Sequence, residues 1–166
     1  DIPRLSIVPA SVHLAGAEVE LVNADRREYR LADALETLGM GAFDYILIDS
    51  PPSLNLLTIN ALTAADAVLV PLQVEFYALE GLSHLLSTIE RVRRAFNPRL
   101  DIQGVVLTMF DKRNNLSEMV AEDVRNHLGD KVYSTIIPRN IRISEAPSFG
   151  KPVLLYDHSC AGARAY

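Results

Sequence analysis

The stretch FDYILIDSPPS, residues 43–53, decides how the chain is read. Its centre, Tyr45-Ile46-Leu47-Ile48, is apolar at every position, the pattern of a strand buried on both faces in a parallel sheet. The run then ends abruptly in Asp49 and two prolines. A hard cation such as Mg²⁺ keeps several waters and accepts one or two carboxylates plus phosphate oxygens, so an acid at the tip of a rigid central strand suits it. Prolines fix backbone angles and remove donors, which suits a loop that responds to a γ-phosphate without joining the next helix. A plainer account fits the same residues, because Asp favours turns and helix starts and so ends many strands.

Working outward, strands and helices alternate. Upstream, residues 4–9 read as a short strand and residues 15–38 as helix in two pieces, with Leu31, Leu35 and Leu38 on one face and Asp25 as a cap. Gly39 and Gly41 release the chain into the opening stretch. Downstream, Ser53 is expected to cap a helix reaching about Ala65, and Ala67-Val68-Leu69-Val70 is an apolar strand closed by Pro71. The clearest helix follows: Leu82, Leu85, Leu86, Ile89, Val92 and Phe96 take one face, Glu90, Arg91, Arg93 and Arg94 the other, and Asn97-Pro98 stops it. A strand over 102–108, a helix over 116–128 and a strand over 132–137 ending at Pro138 complete the pattern. Helices of this length serve as crossovers between parallel strands, so the expected fold class is α/β, a three-layer, doubly wound, mostly parallel sheet.

Bulk composition bounds the rest. The 166 residues fit one domain over 1–166, and 49% hydrophobic with 22% charged residues places the chain among globular proteins. A net charge of -5 argues against a surface coated in positive charge but leaves room for a local basic patch. Cys160 is the only cysteine, so no internal disulfide forms, and His13, His84, His127 and His158 have no metal-ligand spacing. Asn60, Asp66 and Pro71 interrupt the longest apolar stretch, and no signal peptide is read. A cytoplasmic protein without a membrane partner is expected. The first residue is Asp1 rather than Met and the last stretch is AGARAY, so both ends read as cut.

In parallel sheets of this kind ligands bind beyond the carboxyl ends of the strands. Those positions hold Asp49-Ser50-Pro51-Pro52, Pro71-Leu72-Gln73-Val74-Glu75, Thr108-Met109-Phe110-Asp111 and Pro138-Arg139-Asn140. Four segments in order, FDYILIDSPPSLNLLTINALTAADAVLVPLQVEFYALEGLSHL, GVVLTMFDKRNNLS, IPRNIRISEAPSFGKPVLLYD and GARAY, closely resemble the ParA family of chromosome and plasmid partitioning ATPases. The likeness runs from about Leu5 to Tyr166.

The resemblance implies a sheet of P-loop NTPase type, ATP and Mg²⁺ as cofactors, and an ATP-sandwich homodimer that binds double-stranded DNA nonspecifically. It also implies a ParB-type protein that stimulates hydrolysis, and a bacterial, nucleoid-associated location. Carried onto this sequence, Asp49 resembles the acid that holds Mg²⁺ through water, and Ser50, Pro51 and Pro52 the adjoining switch. Met109, Asp111, Pro138, Arg139 and Asn140 resemble the wall around adenine. A thioether and a proline ring can flank a purine while an amide meets its polar edge, although taken singly Met109 and Pro138 read equally as core and turn. Gln73, Glu75 and Glu80 match a segment that faces the partner subunit, and otherwise read as a polar loop and an exposed helix start. Arg113, Arg142 and Lys151 lie near the family's DNA-binding face. There they would neutralise phosphates and make binding salt-dependent.

One element of the family pattern is not found. No G-x-x-x-x-G-K-[ST] string occurs, and the only Gly-Lys pair, Gly150-Lys151, precedes Pro152. The chain therefore reads as the carboxyl-proximal part of a ParA-type ATPase, with its sheet incomplete at the N-terminal side and the segment alone not competent in catalysis. On that account residues 45–48 and 105–107 should show an unpaired edge and apolar surface. The rivals are a MinD-type positioning ATPase and a nonenzymatic DNA-binding or scaffold relative without a P-loop.

Overall fold

The computed structural model describes residues 2–39, 41–51, 53 and 55–166. Its elements, in chain order, are helices α1 (Ala17–Glu20), α2 (Arg30–Glu36) and α3 (Leu56–Ala64), strand β1 (Ala67–Gln73), helix α4 (Ala78–Ala95), strand β2 (Asp101–Phe110), helix α5 (Asn115–Leu128), strand β3 (Val132–Pro138), and helices α6 (Ile141–Glu145), α7 (Val153–Tyr156) and α8 (Ala161–Ala165). The class is α/β with a parallel sheet, as the alternation of patterns predicts. The chain divides into two compact units, one of residues 1–65 with 91–99 and one of 66–90 with 100–166.

The second unit contains the sheet. Its strand order is β1-β2-β3 and both pairings are parallel, with Val70 opposite Val105, Leu107 opposite Ile136 and Phe110 opposite Pro138. Residues 105–107 thus lie in the central strand, and Val105 and Leu107 are wholly buried rather than exposed as the sequence suggests. Both neighbours of that strand come from within this unit, which removes the expected open edge. Val70, Val105, Leu107 and Phe110 meet Leu82 of α4 and Val120 and Val124 of α5 in one apolar core. Gly104 is required where β2 meets β3: a Cβ there would stand 2.5 Å from the Tyr133 ring.

Strand β1 differs from expectation in two ways. It continues through Pro71 to Gln73, and it buries only alternate residues, leaving Leu69 55% exposed. Both follow from its place at the edge, where a missing N–H costs no ladder bond and one face can stay open.

In the first unit α2 and α3 are tied by Asn60. Its buried amide accepts from the Leu31 N–H at 3.1 Å and donates to the Arg27 and Leu56 carbonyls, each at 2.9 Å. Asn97, also buried, donates to the Leu62 and Ala65 carbonyls at the carboxyl end of α3. Tyr29 packs edge-on against Phe96 and donates to its carbonyl.

Neither strand expected in this unit forms. Residues 4–9 and 43–49 have no ladder partner among the described residues. A strand exists through its neighbour, and an apolar run without one is left as exposed chain outside any ladder. Tyr45 is 87% and Leu47 93% exposed, which agrees with the expected apolar surface at 45–48. The caps move as well: Asn55, not Ser53, caps α3, and Asp25 offers only its carbonyl, to the Arg30 guanidinium. Among the described residues no helix is long and apolar enough to cross a membrane.

Candidate functional site

Because the three strands run parallel, their carboxyl ends lie along one edge of the sheet. Gln73 is opposite Thr108, and Phe110 is opposite Pro138. The second unit therefore carries Met109, Asp111, Pro138, Arg139 and Asn140 on neighbouring strand ends, as the segment pattern predicts. The Arg139 N–H donates to the Phe110 carbonyl at 2.9 Å, and the Val74 N–H to the Thr108 carbonyl at 3.2 Å, so both outer strands are still fastened to β2 as it ends.

The backbone changes direction at Met109, whose φ of 56° lies in the left-handed region. A non-glycine residue held there is costly and persists only where its surroundings impose it. Phe110 is buried immediately after it, and Asp111 then opens a turn in which its carbonyl accepts from the Asn114 N–H at 3.0 Å. Asn114 in turn caps α5 by accepting from the Leu116 N–H. The strained residue is thus clamped between a buried ring and a capped helix. No pattern of residue types announces a left-handed methionine, so this feature is visible only in three dimensions.

Asp111 is the most tightly held carboxylate of the edge. One oxygen accepts from the Arg113 N–H and from its Nε, both at 3.0 Å, and the other accepts from Nη2 at 2.8 Å. The guanidinium and amide of Arg113, with a smaller contribution from Arg139, hold the Asp111 carboxyl far below the ordinary carboxylate range. Asn140 is engaged too, its Oδ1 capping α6 by accepting from the Arg142 N–H at 2.9 Å.

Of the three basic positions, Arg113 is bound to Asp111, and Arg142 pairs with Glu145 at 2.8 Å and reaches Asp157 at 3.6 Å. Lys151 is exposed and has no ion pair among the described residues. Gln73, Glu75 and Glu80 are exposed at the end of β1 and the start of α4, beside an exposed edge-to-face pair formed by Phe76 and Tyr77.

Asp49 belongs to the first unit. It is exposed, and its carboxylate has no ion pair among the described residues. The loop after it is fastened by Thr58, whose buried hydroxyl lies 2.6 Å from the Ser53 carbonyl and 3.3 Å from that of Pro51. In the sequence Thr58 is legible only as a helix residue, and its spacing of three from the capping Asn55 is the signal that marks it. Pro52 lies outside the described residues. The donor chemistry fits a magnesium ion held through water: a single uncommitted carboxylate suffices when phosphate oxygens complete the shell. No group of three or more His, Cys, Asp or Glu able to hold a metal occurs among the described residues.

Comparison with known proteins matches this fold to named relatives. A family model described as AAA domain matches residues 1–102. The chromosome partitioning protein ParA of Caulobacter vibrioides is 65% identical over 167 residues, an alignment covering 100% of this chain and 62% of that protein. The sporulation initiation inhibitor protein Soj of Bacillus subtilis is 55% identical over 99% of this chain and 65% of its own. The chain thus spans less than two thirds of the length of either curated relative. Among solved structures, cobyrinic acid a,c-diamide synthase from Mycobacterium smegmatis, with bound ADP and magnesium, superposes with a TM-score of 0.73 at 44% identity, over 80% of this chain and 54% of that one. The same protein with a bound ATP analog and magnesium gives the same agreement. With more than half of its residues matched by the family model and its full length aligned to ParA, the chain is a member of the AAA domain family, of the ParA type.

Proposed function

We propose that this chain is the carboxyl-proximal part of an ATPase that partitions a chromosome or plasmid. The observation that carries the proposal is the 65% identity to a chromosome partitioning protein over the whole chain. The converging strand ends support it, since they supply what a purine needs: an apolar thioether, a proline ring, a fixed carboxylate and an amide at one edge of a sheet. In this account Met109, Asp111, Pro138, Arg139 and Asn140 bind the base, and Pro51 with its neighbours answers to the γ-phosphate. Asp49 would hold Mg²⁺ through water, and the bound metal would supply charge neutralisation to the phosphates. Gln73, Glu75 and Glu80 face a second subunit in an ATP-dependent homodimer. That dimer binds double-stranded DNA nonspecifically through basic residues, with Lys151 the least committed of the three candidates, and a ParB-type protein stimulates turnover. The location is the cytoplasm, on the nucleoid.

The test is Mg²⁺-dependent ATP turnover by the full-length protein and by its Asp49→Ala variant. Removing the metal's carboxylate should lower turnover by about a hundredfold, the order of one lost transition-state contact. Unchanged turnover in the variant would remove Asp49 from its role, and absence of turnover in the parent would refute the ATPase.

A further inference from the structure

Arg142 is a candidate contact for DNA phosphate, yet its guanidinium already faces two carboxylates. Nη1 donates to Glu145 Oε2 at 2.8 Å, and Nε stands 3.6 Å from Asp157 Oδ2. A guanidinium takes up a phosphate bidentately along one of two edges, the one shared by Nε and Nη2 or the one shared by Nη1 and Nη2. In this structure one nitrogen of each edge is turned to an acid. The three side chains together carry one more negative charge than positive, which repels a phosphate rather than attracting it.

The acids are held in place without the arginine. Glu145 Oε2 also accepts from the Tyr156 hydroxyl at 3.3 Å. Asp157 Oδ1 accepts from the Ser159 N–H at 3.1 Å, from the Ser159 hydroxyl at 2.8 Å and from the Cys160 N–H at 3.2 Å, so that Oδ2 is the oxygen left for Arg142. The Arg142 side chain is half exposed on the short helix α6. It is therefore the movable member of the cluster: when it swings outward, both acids keep their other partners. Exposed ion pairs contribute little to stability, so the exchange of carboxylate for phosphate costs little.

We infer that Glu145 and Asp157 form an internal counter-charge for Arg142, an autoinhibitory contact that DNA phosphate must displace and that holds down the affinity for DNA. This rests on the DNA-binding account given above. Phosphate competes with carboxylate for the same N–H groups, so each acid near the guanidinium lowers the gain on binding DNA by the strength of the contact that is given up.

The experiment measures the affinity of the full-length protein, with ATP and Mg²⁺, for nonspecific duplex DNA at one fixed salt concentration. It compares the parent with Glu145→Gln and Asp157→Asn, and Arg142→Ala with Arg142→Ala/Glu145→Gln. Both amides keep the acceptor oxygen that Tyr156 or Ser159 uses and remove only the charge. Glu145→Gln should bind DNA about threefold to fivefold more tightly, the order of one exposed ion pair, and Asp157→Asn should show a smaller gain in the same direction. In the Arg142→Ala background, Glu145→Gln should add nothing. Absence of a gain in both single variants, weaker binding in either, or a gain that persists without Arg142 overturns the inference while the DNA-binding account stands. Failure of the parent to bind DNA overturns that account, and the inference with it, and is read from the parent alone.

Discussion

Asp49 and Asp111 carry the same functional group in opposite circumstances. Asp111 accepts three N–H groups from Arg113, while Asp49 has no ion pair among the described residues. For Asp111 the Arg113 fork shows in titration. Asp111 starts from an ordinary value of 3.8 and is lowered on folding, chiefly by the Arg113 guanidinium. Its contribution to stability is therefore complete above that ordinary value and is lost as the pH falls from there toward the depressed one. Carboxyl NMR of the folded chain should find Asp111 still ionised at about pH 3, where an unperturbed aspartate is mostly protonated. A midpoint for Asp111 near the ordinary value would show that the fork does not persist in solution.

At the scale of elements, helix α3 shows how a helix end is closed by distant sequence. Its C-cap residue Ala65 is extended and donates nothing back to the last turn. The Leu62 and Ala65 carbonyls are instead satisfied by the buried side chain of Asn97, at 3.0 and 2.7 Å. Asn97→Ala leaves both without that partner and should destabilise the chain by about 1–3 kcal/mol, read as a lower urea midpoint at unchanged slope. An unaltered midpoint would mean that water replaces the amide at no cost.

The elements that sequence reading places correctly are those whose signal is local. Helix α4 writes its apolar stripe from Leu82 to Phe96, α5 has an Asn cap and an apolar face, and β2 and β3 are β-rich runs with punctuated ends. Residues 43–49 carry an equally strong apolar pattern, yet pattern reports preference for burial and not the presence of a neighbour to pair with. Pro71 misleads for a related reason, because its effect depends on whether β1 is an edge strand, which no single strand's sequence records. Of the site, the identity of the strand-end residues is legible. The commitment of Arg113 and Arg142 to carboxylates, and the left-handed turn at Met109, depend on atoms brought together by folding.

For the molecule as a whole, protection from hydrogen exchange should divide sharply along the chain. Amides of residues 45–48, exposed and without ladder partners among the described residues, should exchange close to the rate of an unfolded peptide in the 166-residue chain. Those of Val105 and Leu107, in the central strand, should be slower by at least about a thousandfold, as a global stability of about 5 kcal/mol implies. Equal rates in the two segments would show either that the sheet is loose or that residues 45–48 are paired after all.

The strand order β1-β2-β3 follows the order of synthesis. Among the described residues each strand pairs with the one that follows it in the chain. Pairing these three strands closes only the intervening crossover each time, α4 for β1 with β2 and α5 for β2 with β3, so every contact of this ladder spans a short stretch of chain.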